Sequence, residues 1–544
     1  MKLILLLLFL FTTPAFGQKI SKKDKVILNN LKTTISYLAD DKLEGRRTGT
    51  NGEKLAYEYL SNDFKEIGLL PKGDDGTYLQ KFTVDEGKEI LPTTVLSING
   101  NPAKLNEGYF PLIMSANGSV NSYTSASIHE SGAPWILDLK EMMEDNKENP
   151  HFDIIDAIQT KAAADKDRGA NALIVYNSGA INDGLAFDGK SKIETSSIPV
   201  IYLTKKISDE YLKDKTDNLK VEMRVDIGNK QRTGHNVVGY IDNNAPNTIV
   251  IGGHFDHLGY GQDHNSLWTG APQIHNGADD NASGTAAVIE LARILKDSKL
   301  TNNNYLFACF SGEELGLYGS KSFVNHPDIS ALNLNYMINM DMVGRLNDST
   351  KKITIGGYGT SPEWGKILSP ETKAFTAVFD SSGIGPSDHT SFYLKDIPVL
   401  FFFTGTHADY HKPSDDVDKI NFNGTLAIVK YIHNIIEKTN NEGKLVFTKT
   451  REPQMGNGAK FTVSLGVMPD YTYSGTGLHV DGIIDGRAAD KAGMKTGDVI
   501  IAIGDYKVTE INSYMTALSK FKKGDPAKVL VKRGDDELSF DIIF

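Results

Sequence analysis

Only one cysteine, Cys309, occurs in the 544 residues. A single thiol cannot close an internal disulfide, and within the apolar run YLFACF it reads as an inert core residue. Positive charge is in deficit as well: 58 Lys and Arg stand against 69 Asp and Glu, for a net charge of −11. That balance argues against nucleic acid or an anionic membrane surface as a main partner. There is no internal repeat and no low-complexity tract. An uninterrupted apolar stretch follows Lys2 at LILLLLFLF and leads to the small-residue exit Ala15-Phe16-Gly17. It is too short for a membrane anchor and reads as a secretory signal peptide, residues 1–17. No cysteine follows it to carry a lipid, so a secreted or periplasmic location without a membrane anchor is expected.

The length exceeds what one hydrophobic core organises, and three or four domains are expected. Residues 18–100 show apolar positions at helical spacing, interrupted by EGRRTGTNG, and predict two helices leading into a strand region at YLQKFTV. From 101 to 231 the pattern changes to short strands (PWILDL, ALIVYN, IPVIYLT) around one alanine-rich helix, IIDAIQTKAAADKDRGA. An inserted domain is expected there. Over 232–440 strand, loop and helix alternate again, with SGTAAVIELARILKD as an amphipathic helix and NGTLAIVKYIHNIIEK as the last one. Residues 441–454 read as a polar linker, and 455–544 as a strand-rich domain around GRAADKAGMKTGDVIIAIGD and the helix SYMTALSKF.

Metal-binding side chains are strung in order through the 232–440 segment. They are His254 and Asp256 in GGHFDHLG, Asp279 and Asp280 in NGADDNASG, Glu313 and Glu314 in FSGEELGLYGS, Asp341 in INMDMVG, and His411 in ADYHKPSDD. The clusters close apolar runs that read as strands (TIVIGG, NYLFACFSG, LNYMINMD, IPVLFFFTG), so they should gather along one edge of a sheet. Strand ends of an open α/β sheet are the usual site of chemistry. Two imidazoles and three carboxylates suit two borderline-soft ions such as zinc, one carboxylate bridging them and an open position left for water. Asp256 lies on the same face of the extended segment as His254 and can accept the imidazole's second N–H.

These motifs resemble the co-catalytic di-zinc exopeptidases typified by aminopeptidase Y, secreted bacterial leucyl aminopeptidases and glutamate carboxypeptidase, over residues 22–100 and 232–440. The resemblance implies an α/β fold, a mixed-sheet α/β/α zinc exopeptidase domain. It further implies that His254, Asp280 and Asp341 hold one Zn2+, that Asp280, Glu314 and His411 hold the other, and that Glu313 is the general base. Such a division suits two adjacent glutamates, of which one coordinates while the other moves the proton. Tyr410 resembles a tyrosine that in some members donates to the oxyanion. Asp279 is expected to point away as a cap or acceptor, the Asp280–Asn281 bond to be cis, and Asp415 to be structural. The insert, with KAAADKDRGANALIVYN and SSIPVIYLT, is similar to a protease-associated domain. The C-terminal segment resembles a PDZ domain, with LGV at 465–467 as its carboxylate-binding loop, which implies a C-terminal peptide ligand.

Taken singly, a His or Asp at a strand end is more often a cap, a turn residue or a surface group than a ligand. The ordered set carries the reading. His257, His264 and His275 are read as loop or cleft-wall residues, and His389 and His407 as residues near the site that could touch substrate. The expected function is a secreted or periplasmic zinc aminopeptidase acting on peptides or proteins. A carboxypeptidase, dipeptidase or one-zinc glutaminyl cyclase would keep the fold and change the reaction, but the full two-metal set and a separate Glu313 disfavour the cyclase. A binding protein on an inactive peptidase fold would be expected to have lost ligands, and this chain has lost none; a non-catalytic peptide-binding role through the PDZ groove is a separate alternative.

Overall fold

The computed structural model describes residues 21–149, 152–191, 193–263, 265–450, 463–469, 476–483, 487–509, 511–534 and 536–544. The leader at 1–17, His264 and the linker's end at 451–454 lie outside them. The chain forms two compact units, one made of residues up to Phe82 and from Thr233 onward, the other of Thr83–Arg232.

The first unit is built on a nine-stranded mixed sheet. Its centre is four parallel strands in the order Asn304–Phe310, Thr248–His254, Leu334–Met340, Val399–Phe403. Parallel strands are covered on both faces, and these residues alternate between two cores accordingly. Ile249, Ile251, Phe307, Cys309, Ile338 and Phe402 face one core, against helices Lys22–Leu38, Gly284–Lys296 and Phe422–Thr439. Val250, Leu306, Ala308, Phe310 and Met337 face the other, with Phe323, Val324 and Phe392 from helices Tyr318–Asn325 and His389–Tyr393. Antiparallel neighbours flank these four, Ile227–Ile241 on one side and Lys352–Gly356 on the other, and Leu70–Pro71, Leu79–Ile90 and Thr376–Phe379 make up the rest of the sheet. The two early helices appear as Lys22–Leu38, capped by Ser21, and Asn51–Ile67. Among the described residues no helix is long and apolar enough to cross a membrane.

The unit Thr83–Arg232 holds two four-stranded sheets. One is antiparallel, around Leu219–Val225; in the other Pro134–Asp138, Ala172–Tyr176 and Val200–Leu203 run parallel beside helix Ile154–Asp167. The unit starts at Thr83 rather than at 101, because the strand Val95–Ile98 pairs with Leu219–Val225. The C-terminal strands form a sheet of their own over a separate core that includes Leu465, Val480, Ile500, Val529 and Val531. The expected linker is held down as far as Thr450. Leu445 is buried in the core beneath helix Phe422–Thr439, its N–H donates to Asn335 Oδ1 at 2.8 Å, and Thr450 donates to the Tyr393 hydroxyl. Apolar Leu445 and Phe447 within a polar stretch explain the difference.

Candidate metal centre

The parallel strands deliver the ligand candidates to one edge. His254 ends its strand, and a Cβ on the preceding Gly253 would stand 2.7 Å from the Met340 carbonyl, so only glycine lets the strands ending at His254 and before Asp341 approach this closely. Glu313 and Glu314 follow Asn304–Phe310, and Asp341 follows Leu334–Met340. Asp280 lies in the turn before helix Gly284–Lys296, and the Asp280–Asn281 peptide bond is cis. Asn281 fixes the turn: its Nδ2 donates to Met340 O at 2.9 Å, and its Oδ1 accepts from Gly284 N at 2.8 Å. His411 comes from a loop and adopts a left-handed φ of 53°.

The resulting geometry is specific. His254 Nε2 lies 3.3 Å from Asp280 Oδ1 and 3.4 Å from Asp341 Oδ1. His411 Nε2 lies 3.3 Å from Asp280 Oδ2 and 3.2 Å from Glu314 Oε2. Two ligand atoms held tetrahedrally at roughly 2.0–2.1 Å from one zinc stand about 3.3–3.4 Å apart, the edge of the tetrahedron. All four contacts match that edge, and Asp280 presents one oxygen to each imidazole. His254 Nε2 is buried and makes no hydrogen bond among the described residues, although it faces two carboxylates.

Charge balance points the same way. Burial works against a proton on His254, yet Asp341 and Glu313 hold its pKa well above the usual imidazole range. Burial pushes the Glu313 carboxyl well up, and Asp341 rises for the same reason. For Glu314, burial is outweighed by His411 and His257, and its carboxyl falls to about 2. Buried carboxylates in this excess need cations, and oxygen and imidazole donors suit zinc. The residues present therefore fit two such ions.

Supporting contacts fix each donor. His254 Nδ1 faces the Asp256 backbone carbonyl at 3.2 Å, while the Asp256 carboxylate, 3.6 Å from that nitrogen, accepts from Glu313 N at 3.2 Å and Thr48 Oγ1 at 3.0 Å. Asp256 thus holds the Glu313 loop more directly than it holds the imidazole. Asp279 turns away from the donors and accepts from Gly344 N at 2.6 Å and Ser283 Oγ at 3.0 Å, with His407 Nε2 at 3.1 Å. Asp415 Oδ2 accepts both Asp279 N and Asp280 N at 3.0 Å. Glu313 Oε2 is 3.9 Å from His254 Nε2, on the side of the first donor group. Tyr410 stacks on His411 with ring centroids 3.9 Å apart; burial among four carboxylates holds its phenol well above the usual range.

Other histidines divide. His275 bonds Ser266 Oγ at 2.6 Å, and burial lowers its pKa to about 4. His389 stacks on Phe401, and burial lowers its pKa to about 3. His257, read from sequence as a cleft-wall residue, instead brings Nδ1 to 2.8 Å from Glu314 Oε1. Arg46 was not singled out by any motif. Fully buried, it donates to Phe255 O at 2.6 Å, Asn276 O at 2.6 Å and Gly277 O at 3.0 Å, which ties together the loops carrying His254 and Asp280. Asn265 was also missed; its carbonyl faces His411 Nδ1 at 2.8 Å. Arg46 reaches backbone carbonyls with its side chain and Asn265 offers its own carbonyl, so neither contact leaves a pair of side-chain types to read.

Residues 236–436 match the model of Peptidase family M28, and residues 456–543 match that of the PDZ domain. Aminopeptidase YwaD of Bacillus subtilis (strain 168) is 26% identical over 276 residues, covering 48% of this chain and 55% of that protein. Leupeptin-inactivating enzyme 1 of Streptomyces exfoliatus is 32% identical over 197 residues, covering 34% of this chain and 39% of that one. The chain thus spans about half or less of the length of these curated relatives. Among solved structures, BSAP, a zinc aminopeptidase from Bacillus subtilis, aligns over 78% of this chain and 96% of its own with 18% identity and a TM-score of 0.42.

Proposed function

We propose, from the premise that this chain carries a domain of Peptidase family M28 and a C-terminal PDZ domain, that it is a zinc-dependent exopeptidase that removes residues from the free N-termini of peptides. The observation that carries the reading is the pair of donor groups sharing Asp280, each imidazole 3.3 Å from a different oxygen of that carboxylate. His254, Asp280 and Asp341 would hold one Zn2+, and Asp280, Glu314 and His411 the other.

Zinc bound there supplies Lewis acidity, polarising the scissile carbonyl and acidifying a water. The remaining work belongs to the chain. Glu313, held by Asp256 through its backbone N–H, takes a proton from the attacking water. As the new C–O bond forms and the C–N bond breaks, Glu313 returns that proton to the leaving amine. Burial, which raises its proton affinity, suits both directions of transfer. Tyr410 keeps its proton and can donate its O–H to the carbonyl oxygen as charge develops.

The inserted unit fits a protease-associated domain, and the Leu465–Val467 segment fits the loop by which a PDZ groove holds a peptide C-terminus. With the apolar leader at 1–17, these features fit an enzyme acting on peptides in the periplasm or outside the cell. The test is amine release from free and N-acetylated peptides, with and without a chelator. Release from free peptides alone, abolished by chelation, is expected. Equal activity on blocked peptides would point to a carboxypeptidase, and full activity after exhaustive chelation would remove the metal reading.

A further inference from the structure

Two imidazoles face Glu314, and their geometry differs. His411 Nε2 stands 3.2 Å from Glu314 Oε2 and 3.3 Å from Asp280 Oδ2, the spacing of two ligands on one ion. His257 Nδ1 stands 2.8 Å from the other oxygen, Oε1, and 3.9 Å from Asp280 Oδ2. The first of these is a hydrogen-bond length, shorter than the tetrahedral edge of about 3.3 Å, and the second is longer than it. An ionised carboxylate has no proton to give, so the imidazole is the donor.

The ring is held where this contact requires it. His257 is buried, and its Nε2 makes no hydrogen bond among the described residues. Gly277, with a φ of 54°, leaves the space the ring fills: a Cβ there would lie 2.5 Å from His257 Cδ2 and 2.6 Å from Cγ. Glu314 follows a strand end and has a long side chain with three rotatable bonds. A fixed donor on one oxygen removes that freedom and leaves the other oxygen for an ion.

We propose that His257 is a positioning residue, donating Nδ1–H to Glu314 Oε1 so that only Oε2 is presented to the metal opposite His411. This rests on the two-zinc reading above. It also divides the histidines of the second donor group into one ligand, His411, and one support, His257.

The test is zinc binding by the full-length protein, stripped and titrated against a chromogenic chelator, with circular dichroism as the folding control. The wild type should bind two ions. His257→Phe should weaken one of them at least about tenfold and leave the other unchanged, since outer partners of metal ligands contribute on the order of 10–100-fold in affinity. His257→Asn, whose amide nitrogen sits where Nδ1 does, should restore most of the loss. Two ions bound by His257→Phe as tightly as by wild type would overturn the proposal, as would His257→Asn being as weak as His257→Phe. A wild type that binds fewer than two ions would overturn the two-zinc reading itself. Should His257→Phe not fold, a zinc-soaked crystal of the wild type decides. One Glu314 oxygen on the ion and the other on His257 supports the proposal; both oxygens on the ion, or a His257 nitrogen on it, refutes it.

Discussion

Glu313 and Glu314 are adjacent in sequence yet their carboxyls are pushed in opposite directions, Glu313 well up and Glu314 down to about 2. Burial acts on both, and the difference lies in partners: Glu314 faces His411 and His257, whereas Glu313 meets one imidazole at 3.9 Å. One is thereby suited to ligation and the other to proton transfer. Glu313→Gln should lower kcat by about three orders of magnitude or more while zinc content stays near that of the wild type. An unchanged kcat would take Glu313 out of the chemistry. Asp415 makes a different contribution, since one oxygen accepts two buried backbone N–H groups at 3.0 Å each. Asp415→Ala would leave both unsatisfied, at a cost of about 1–3 kcal/mol each. Its melting temperature should drop accordingly, and a variant as stable as wild type would show that water replaces the carboxylate.

At the scale of elements, the helix Gly284–Lys296 follows the turn that carries Asp280 and holds a buried acid in its middle. Glu290 is 3% exposed, its Oε2 accepts from Asn30 Nδ2 at 3.0 Å, and burial raises its pKa from 4.5 to about 7. Because the folded value lies above the unfolded one, the folded state keeps a proton that the unfolded chain has already lost between these two values. Stability contributed by this group is therefore full below pH about 4.5, falls as pH rises toward 7, and stays low above it. Glu290→Gln should raise the melting temperature at pH 8 more than at pH 4.5. Equal shifts at the two pH values would mean that the effect is packing rather than ionisation. The strands carry a plainer message. Period-two burial assigns Ile249 and Ile251 to one core and Val250 to the other, so the apolar runs that read as strands in sequence are parallel strands covered on both faces.

At the scale of the molecule, the position of a cut should decide what survives. Removing residues 455–544 is expected to spare hydrolysis of a dipeptide-sized substrate, because the C-terminal strands have their own core and the candidate donors from His254 to His411 precede them. A chain ending at 440 should fare worse than one ending at 450, since it lacks Leu445, which packs into the core of the nine-stranded sheet. Loss of a buried leucine costs about 2–5 kcal/mol, so the shorter chain should melt lower. Equal melting of the two would return residues 441–450 to the linker.

The ordered motifs made part of this protein legible: His254, Glu313, Glu314 and Asp341 at or just after strand ends, the mixed α/β class and the C-terminal PDZ match. Those features are local, because periodicity and residue type act within a few positions of the chain. The choice of Asp280 over Asp279 came from the resemblance, and the structure places Asp280 between the two imidazoles. What sequence order left undecided was pairing across distance. Arg46 lies 231 positions from the Gly277 carbonyl it binds, and His257 lies 57 from Glu314. Asp256 reads as an imidazole acceptor by spacing alone, and only the approach of Thr48 and Glu313 N turns its carboxylate to their hydrogen bonds. Contacts of this kind form when separate loops meet over a closed sheet edge, so their partners are set by tertiary packing and not by neighbours in the chain.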